Sequence, residues 1–341
     1  MNLKKILITG GAGYIGAHTV VELIESGYQV VIIDNFSKSD RTLLEGIEKV
    51  TGKAVSFCEG DCRDRAFVSK VFQTEGSFSS VLHFAAYKSV GESEGNPLIY
   101  YQNNLTSLTT LVEVMLENEV RDLIFSSSCT VYGQPDYIPV DELAPFKRAA
   151  SAYGSTKQMC ERILEDVAGV GMRVVSLRYF NPIGAHPSAM IGEVPIGRPD
   201  NLVPYITQTA ARIREKLTVF GDDYNTVDGS CVRDFIHVVD LGAAHVKAME
   251  YLASRSEKNL YEAFNLGTGI GVSVLQLIER FKAVTGVNVP YEVGPRRPGD
   301  VEKVYADPMK ANKILGWNAK FTIDQSLLHA WEWEQKIRGL K

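Results

Sequence analysis

The sequence predicts an α/β fold, a doubly wound parallel sheet with a second, smaller α/β lobe. Three observations predict it: short β-rich apolar runs alternate with helical patterns, a glycine-dense turn follows the first run, and the pattern loosens after Asn181-Pro182. The runs fall at 6–9, 29–34, 55–60, 80–85, 122–127 and 173–179. Strands separated by helices become parallel neighbours joined by crossovers, with helices on both faces. The intervening helices read as 14–26, 64–73, 97–117 and 152–167, the first closing with Gly27 just past its end. Residues 184–200 are rich in Gly and Pro, as a loop is, and shorter mixed elements follow until an amphipathic helix at 323–337. The expected division is 1–181 for the larger domain, with segments near 234–267 returning to it, and 182–341 for the smaller lobe. No repeat or linker interrupts the chain, so the lobes are expected to pack around a shared cleft.

Composition bounds the function. With 341 residues, 45% of them hydrophobic, the chain can bury a sizeable core. A net charge of -5 argues against nucleic acid as a partner, while leaving room for a local basic pocket. The opening MNLKKILITGG meets glycine too soon for a signal-peptide core, and no later stretch is apolar for long enough to span a bilayer, so no membrane partner is expected. Cys58, Cys62, Cys129, Cys160 and Cys231 are odd in number and contain no C-x-x-C pair, which suggests neither a disulfide framework nor zinc; a reducing cytoplasm is expected. The six histidines lack the i, i+4 spacing of a helical metal site, and no metal is expected.

The first strand runs into Gly10-Gly11-Ala12-Gly13-Tyr14-Ile15-Gly16, which satisfies G-x-G-x-x-G from Gly11. Glycines there allow a tight strand-to-helix turn and let the backbone approach a pyrophosphate at the positive end of the helix. The second strand ends at Asp34, 18 residues after Gly16, where a carboxylate accepts hydrogen bonds from the ribose hydroxyls of an adenine dinucleotide. That carboxylate repels a 2′-phosphate, and Asn35-Phe36-Ser37 supply no arginine to offset it, so NAD is expected over NADP. This is the signature of a Rossmann-type domain.

Tyr153 has Lys157 four positions later, on one face of a helix. The helix follows the fifth strand, which ends in Ser126-Ser127-Ser128 at the carboxyl edge, where ligands of open α/β sheets bind. A tyrosine has an ordinary pKa of about 10, so using it as a base near neutrality requires stabilising its phenolate by several kcal/mol, at about 1.4 kcal/mol per unit. A lysine ammonium and a positive nicotinamide ring supply that stabilisation together, and Ser128 is placed to hydrogen-bond the reacting hydroxyl.

With these motifs in hand, the chain resembles the extended short-chain dehydrogenase/reductase superfamily and, within it, the UDP-glucose 4-epimerase family. The resemblance runs over nearly the full length. It is carried by ITGGAGYIG, DNFS (34–37), EGDCRD (59–64), HFAAYKSVGES (83–93), YYQNN (100–104), FSSSCTVYG (125–133), YGSTK (153–157), LRYFNPIGAH (177–186), NLVPYI (201–206), VFGDDYNTVDGSCVRDFIHV (219–238), FNLGTG (264–269) and RRPGDVEKVYAD (296–307).

The resemblance implies catalysis by Tyr153, Lys157 and Ser128. It implies cofactor contacts from Gly10, Gly13, Tyr14, Ile15, Gly16, Asp34, Asn35 and Ser37, with Asp61 and Cys62 beside the adenine. Phe84, Ala85, Ala86, Lys88, Asn103 and Phe180 would line the pyrophosphate, ribose and nicotinamide. Asn181, Asn201, Leu202, Thr218, Val219, Phe220, Arg233, Arg297, Asp300 and Val304 would form the UDP-sugar side. The chemistry suits them: arginines for a diphosphate, an aromatic ring for a flat base, a carboxylate for a ribose diol. Cys129, where alanine is usual, Phe235, where tyrosine is usual, and Ala86, in place of a frequent glycine, depart from the family pattern.

The implied reaction interconverts UDP-galactose and UDP-glucose by reversible hydride transfer from C4 to tightly bound NAD, with rotation of a 4-keto intermediate. Because Val304 is small where a bulky tyrosine otherwise closes the sugar pocket, UDP-GlcNAc and UDP-GalNAc are expected substrates as well. A homodimer through helices 97–117 and 152–167 is also implied. Two alternatives remain at this point. A same-fold nucleotide-sugar dehydratase or decarboxylase usually carries an acidic residue just after the serine, where Cys129-Thr130 has none. A non-catalytic NAD-sensing protein commonly loses the tyrosine or lysine, and both are present.

Overall fold

The computed structural model describes residues 4–297 and 300–340. Met1–Leu3 of the opening stretch and Pro298-Gly299 of the RRPGDVEKVYAD motif lie outside the described residues. The chain runs β1 (Lys5–Thr9), α1 (Tyr14–Glu25), β2 (Gln29–Asp34), α2 (Thr42–Thr51), β3 (Ser56–Glu59), α3 (Arg65–Glu75), β4 (Ser80–His83), α4 (Val90–Gly95), α5 (Pro97–Glu117), β5 (Asp122–Ser128), α6 (Ala152–Ala168) and β6 (Arg173–Tyr179). It continues with β7 (Asn181–Ile183), α7 (Leu202–Ala210), β8 (Leu217–Phe220), β9 (Val232–His237), α8 (Val238–Ala253), β10 (Leu260–Leu266), β11 (Gly271–Ser273), α9 (Val274–Thr285), β12 (Tyr291–Gly294), β13 (Lys303–Val304) and α10 (Ile323–Ile337).

Seven strands form one sheet in the order β10-β6-β5-β4-β1-β2-β3, with every pairing parallel. Alternation along β1 explains its two covered faces: Ile6 and Ile8 join one core with α1, α2 and α8, while Leu7 joins the other with α3, α5 and α6. The expected doubly wound sheet is thus observed, and β10, beyond the six runs expected as its strands, extends it by pairing with β6. In the smaller sheets β9 pairs with β7, β11 and β13, and β8 with β12; α7, α9 and α10 pack around their own apolar cluster.

Helix α2, absent from the sequence reading, carries a glycine in its middle. A Cβ at Gly46 would lie 2.4 Å from Ile191 Cγ2, so the residue that weakens the helical pattern is there to admit the loop after β7. The reversal of strand order between β4 and β1 places the carboxyl ends of β1, β4 and β5 around one crevice.

Candidate active site

The turn after β1 is shaped by what a side chain would hit. Gly10 has φ +74°, and a Cβ there would come within 2.7 Å of Ala85 N; at Gly16 it would lie 2.3 Å from Gly10 O. Gly13 is the N-cap of α1, no side chain among the described residues caps the helix, and its first turn holds no acidic residue. The opening amides therefore face the crevice with an uncompensated positive end. Tyr14 and Ile15 offer backbone only. The Tyr14 hydroxyl donates to Gly184 O at 2.7 Å, and Ile15 packs on the core.

Asp34, buried at the end of β2, accepts from Ala12 N at 3.1 Å, Phe36 N at 3.0 Å and Ser39 Oγ at 2.7 Å, which fixes its carboxylate beside the turn. Asn35 Nδ2 donates to Asp61 Oδ2 at 3.3 Å, and Asn35 Oδ1 accepts from Ser37 N at 3.0 Å. Cys62 lies buried against this group: burial foremost, then the charges of Asp61 and Asp34, pushes its thiol far above the usual range and keeps it neutral. On the other side Phe84 and Ala85 donate backbone N–H groups to Thr9, at 2.9 Å to its carbonyl and 3.5 Å to its hydroxyl. Ala86 is partly buried next in the chain, and Asn103 is buried with its amide on Asn104. Asn104, in the YYQNN motif but assigned no contact there, bonds Tyr87 N, Tyr87 O and Thr156 Oγ1 and so locks the β4 edge to α6.

Tyr153 stands in the first turn of α6, whose start is fixed by Ser151 Oγ accepting from Gly154 N at 3.1 Å. One turn later the buried Lys157 donates to Ser126 O at 2.5 Å and lies 4.7 Å from the Phe125 ring centroid. Burial lowers its ammonium to about 8. Burial also raises the Tyr153 phenol above its ordinary value, and the Ser128 hydroxyl pulls it back part of the way. Ser128 ends β5 and accepts from Thr130 N at 3.2 Å. Cys129 beside it is pushed up to about 12, chiefly by burial, so its thiol is neutral.

A cavity of about 700 Å³ adjoins this trio. Its wall holds Asn181, Asn201, Leu202, Thr218, Val219, Phe220, Arg233, Arg297, Asp300 and Val304, brought from five separate stretches of chain, together with Gly13, Tyr14 and Lys88. Ser128 and Tyr153 are not on the wall, but Cys129, Thr130 and Ser151 are. Val219 points inward and offers backbone, whereas Phe220 is exposed with the Arg297 guanidinium 5.6 Å from its ring centroid. Asp300 accepts from Arg297 at 2.7 Å and lies 3.6 Å from Arg233. At this end of the wall two guanidiniums share one carboxylate, so the trio itself carries an excess of positive charge.

Arg233 is aimed by its neighbour: buried Asp234 accepts from Thr268, Gly269 N and Ala306 N, fixing β9 against the chain on either side. Val304 pairs with Arg233 in register and is buried beside Phe180, whose own N–H bonds Leu266 O at 3.1 Å. Asn181 Oδ1 is buried and has no hydrogen-bond partner among the described residues.

The first half of the site fits an adenine dinucleotide: open helix amides, glycines with no room for Cβ, and a fixed carboxylate at the ribose position. Among the described residues, no group of three or more His, Cys, Asp or Glu is placed to hold a metal ion. Glu193 is a wall residue that no sequence signal marks; it shares the Gly/Pro-rich loop with one other carboxylate, Asp200, also on the wall.

The chain matches the family model described as GDP-mannose 4,6 dehydratase over residues 7–329. It is 48% identical to the UDP-glucose 4-epimerase of Bacillus subtilis over 339 residues, 98% of each chain. Among solved structures it is similar to the UDP-glucose-4-epimerase of Stenotrophomonas maltophila with bound NAD and formylated UDP-arabinopyranose, at TM-score 0.95 and 44% identity, covering 99% of this chain and 100% of that one. The Bifidobacterium longum UDP-glucose 4-epimerase in complex with NAD+ and UDP follows at TM-score 0.94 and 44% identity, with 98% of both chains covered. The family model and the relatives name different reactions. Identity of nearly half over the whole length decides between them, and the chain belongs to the UDP-glucose 4-epimerase family.

Proposed function

We propose that this protein is an NAD-dependent isomerase that interconverts UDP-galactose and UDP-glucose. The observation that carries this reading is the trio Tyr153, Lys157 and Ser128 at the carboxyl edge of the sheet, next to a cavity whose far wall gathers Arg233, Arg297 and Asp300. Bound NAD, held by the glycine turn and Asp34, supplies reversible uptake of hydride at C4 of the sugar. Tyr153 takes the C4 hydroxyl proton and later returns it, and Ser128 holds that hydroxyl in line. Lys157, with its ammonium 5.8 Å from the Tyr153 ring centroid, favours the phenolate. Arg233 and Arg297 grip the diphosphate, Phe220 packs on the uracil and Asp300 takes the ribose diol. Anchoring the nucleotide while leaving slack around the hexose lets the 4-keto sugar turn its other face.

Proton NMR of UDP-galactose incubated with the protein tests the reaction: the anomeric signal of UDP-glucose grows to the same equilibrium ratio reached from UDP-glucose. A spectrum that does not change overturns it.

Val304 at the sugar wall supports a wider range that includes UDP-GlcNAc and UDP-GalNAc. A homodimer through α5 and α6 is supported by Leu98, Ile99 and Met159, exposed large apolar residues on those two helices. No helix among the described residues is long and apolar enough to cross a membrane, and the cysteines are free, which suits the cytoplasm.

A further inference from the structure

Between β7 and α7 the chain closes a loop over the cavity, and one carboxylate from that loop touches both halves of the site. Glu193 Oε1 accepts from Lys88 Nζ at 3.0 Å and from Asn201 Nδ2 at 2.6 Å. Lys88 follows β4, on the dinucleotide side; Asn201 caps α7, on the nucleotide-sugar side. The carboxylate is well covered, its side chain 13% exposed against 56% for Lys88. Its charge is felt at the Tyr14 hydroxyl, in the first turn of α1, where it adds to burial in raising that group.

The loop gives this side chain a fixed origin. Trp333 Nε1 donates to Glu193 O at 2.9 Å, and a Cβ on the preceding Gly192 would lie 2.4 Å from the Trp333 ring. Ile191 is fully buried in the main core. A carboxylate held this firmly, with two donors converging on one oxygen, fixes both donors in turn.

We propose that Glu193 is a positioning residue that ties the cofactor half of the site to the substrate half, holding Lys88 to retain the dinucleotide and Asn201 to receive the nucleotide-sugar. This inference rests on the epimerase reading above. The two arms differ in kind. The Lys88 arm is an ion pair and needs the negative charge; the Asn201 arm is a hydrogen bond to an oxygen that an amide also provides. Glu193 makes no hydrogen bond or ion pair to Tyr153, Lys157 or Ser128 among the described residues, so the chemical step does not depend on it.

Purified wild type, Glu193→Gln and Glu193→Ala are compared for NAD retained per chain after charcoal treatment and gel filtration, and for KM and kcat with UDP-galactose at saturating added NAD. Glu193→Ala is expected to lose NAD readily and to raise KM about tenfold, as loss of a charge-assisted contact implies, with kcat nearly unchanged. Glu193→Gln is expected to lose NAD as readily while keeping KM close to wild type. The isosteric Gln variant keeps the test open if the Ala variant folds poorly. NAD retention and KM at wild-type values in both variants overturn the proposal, and so does a fall in kcat alone. A wild type that binds NAD but leaves UDP-galactose unchanged overturns instead the epimerase reading on which it rests.

Discussion

Lys157 holds its ammonium 5.8 Å from the centre of the Tyr153 ring while donating to the carbonyl of Ser126. The lysine is thus aimed by the strand edge and not by the tyrosine. Burial dominates at Tyr153 and raises its phenol, so the chain alone does not create a phenolate at neutral pH. In the proposed mechanism, activation needs the added positive charge that an oxidised nicotinamide would supply, which would couple proton removal to the cofactor state that can accept hydride.

Replacing Tyr153 with Phe keeps the packing and removes the proton acceptor. Turnover of UDP-galactose is expected to fall by about 10²–10⁴, the usual contribution of a positioned base, with bound NAD unchanged. Steady-state kinetics alongside the absorbance of released cofactor checks this; near-wild-type turnover contradicts it.

Lys157→Met removes the cation that favours the phenolate, and the sign of the pH effect follows. Lys157 titrates at about 8, so in the wild type its charge is present below pH 8 and fades above. The variant has no such aid at any pH and relies on hydroxide to ionise the tyrosine. Its activity is expected to be severely reduced near neutrality and to rise steadily with pH, while the wild type flattens. Parallel pH profiles contradict the role.

At Val304 the expected contrast lies between substrates in one protein sample. Val304→Tyr is expected to abolish conversion of UDP-GalNAc while sparing UDP-galactose, since a ring at the wall excludes the acetamide and leaves room for a hydroxyl. Parallel measurement on both substrates separates pocket closure from loss of folded protein, because Val304 is also buried in a core cluster. Equal effects on the two substrates count against the wall.

Buried histidines predict acid sensitivity. Burial lowers His18 and His83 to about 3, His237 to about 2 and His245 to about 4. The unfolded chain takes up these protons near pH 6.5 and the folded chain does not, so their contribution is intact above that pH and lost as pH falls below it. Each costs up to about 1.4 kcal/mol per pH unit in that window. Glu22, raised to about 7 by burial, acts in the opposite sense and offsets one of them. Urea midpoints at pH 7.5, 6.5 and 5.5 are expected to drop most steeply over the last interval; a flat series contradicts this.

What the sequence makes legible follows from how local each feature is. The β1 turn is readable because Gly10, Gly13, Gly16 and Asp34 act within one βαβ unit, and the strand before Ser128 announces the edge on which Tyr153 sits. The meeting of Arg233 with Val304 depends on β13 lying parallel to β9, a pairing between distant segments that no local pattern announces. The resemblance, not spacing, names those residues. Glu193 escapes both routes: its importance lies in two distances, to Lys88 and to Asn201, which exist only once the loop has folded onto Trp333.

In the proposed reaction oxidation and reduction are internal to one active site, with the same NAD used in both. The measurement that tests it most directly is conversion of UDP-galactose to UDP-glucose by extensively dialysed protein with no cofactor added, followed by a coupled assay that consumes UDP-glucose. Many turnovers per chain, unaffected by chelators and without net accumulation of reduced cofactor, are predicted. An absolute requirement for stoichiometric NAD in the medium, or product formation that stops after one equivalent, contradicts the account.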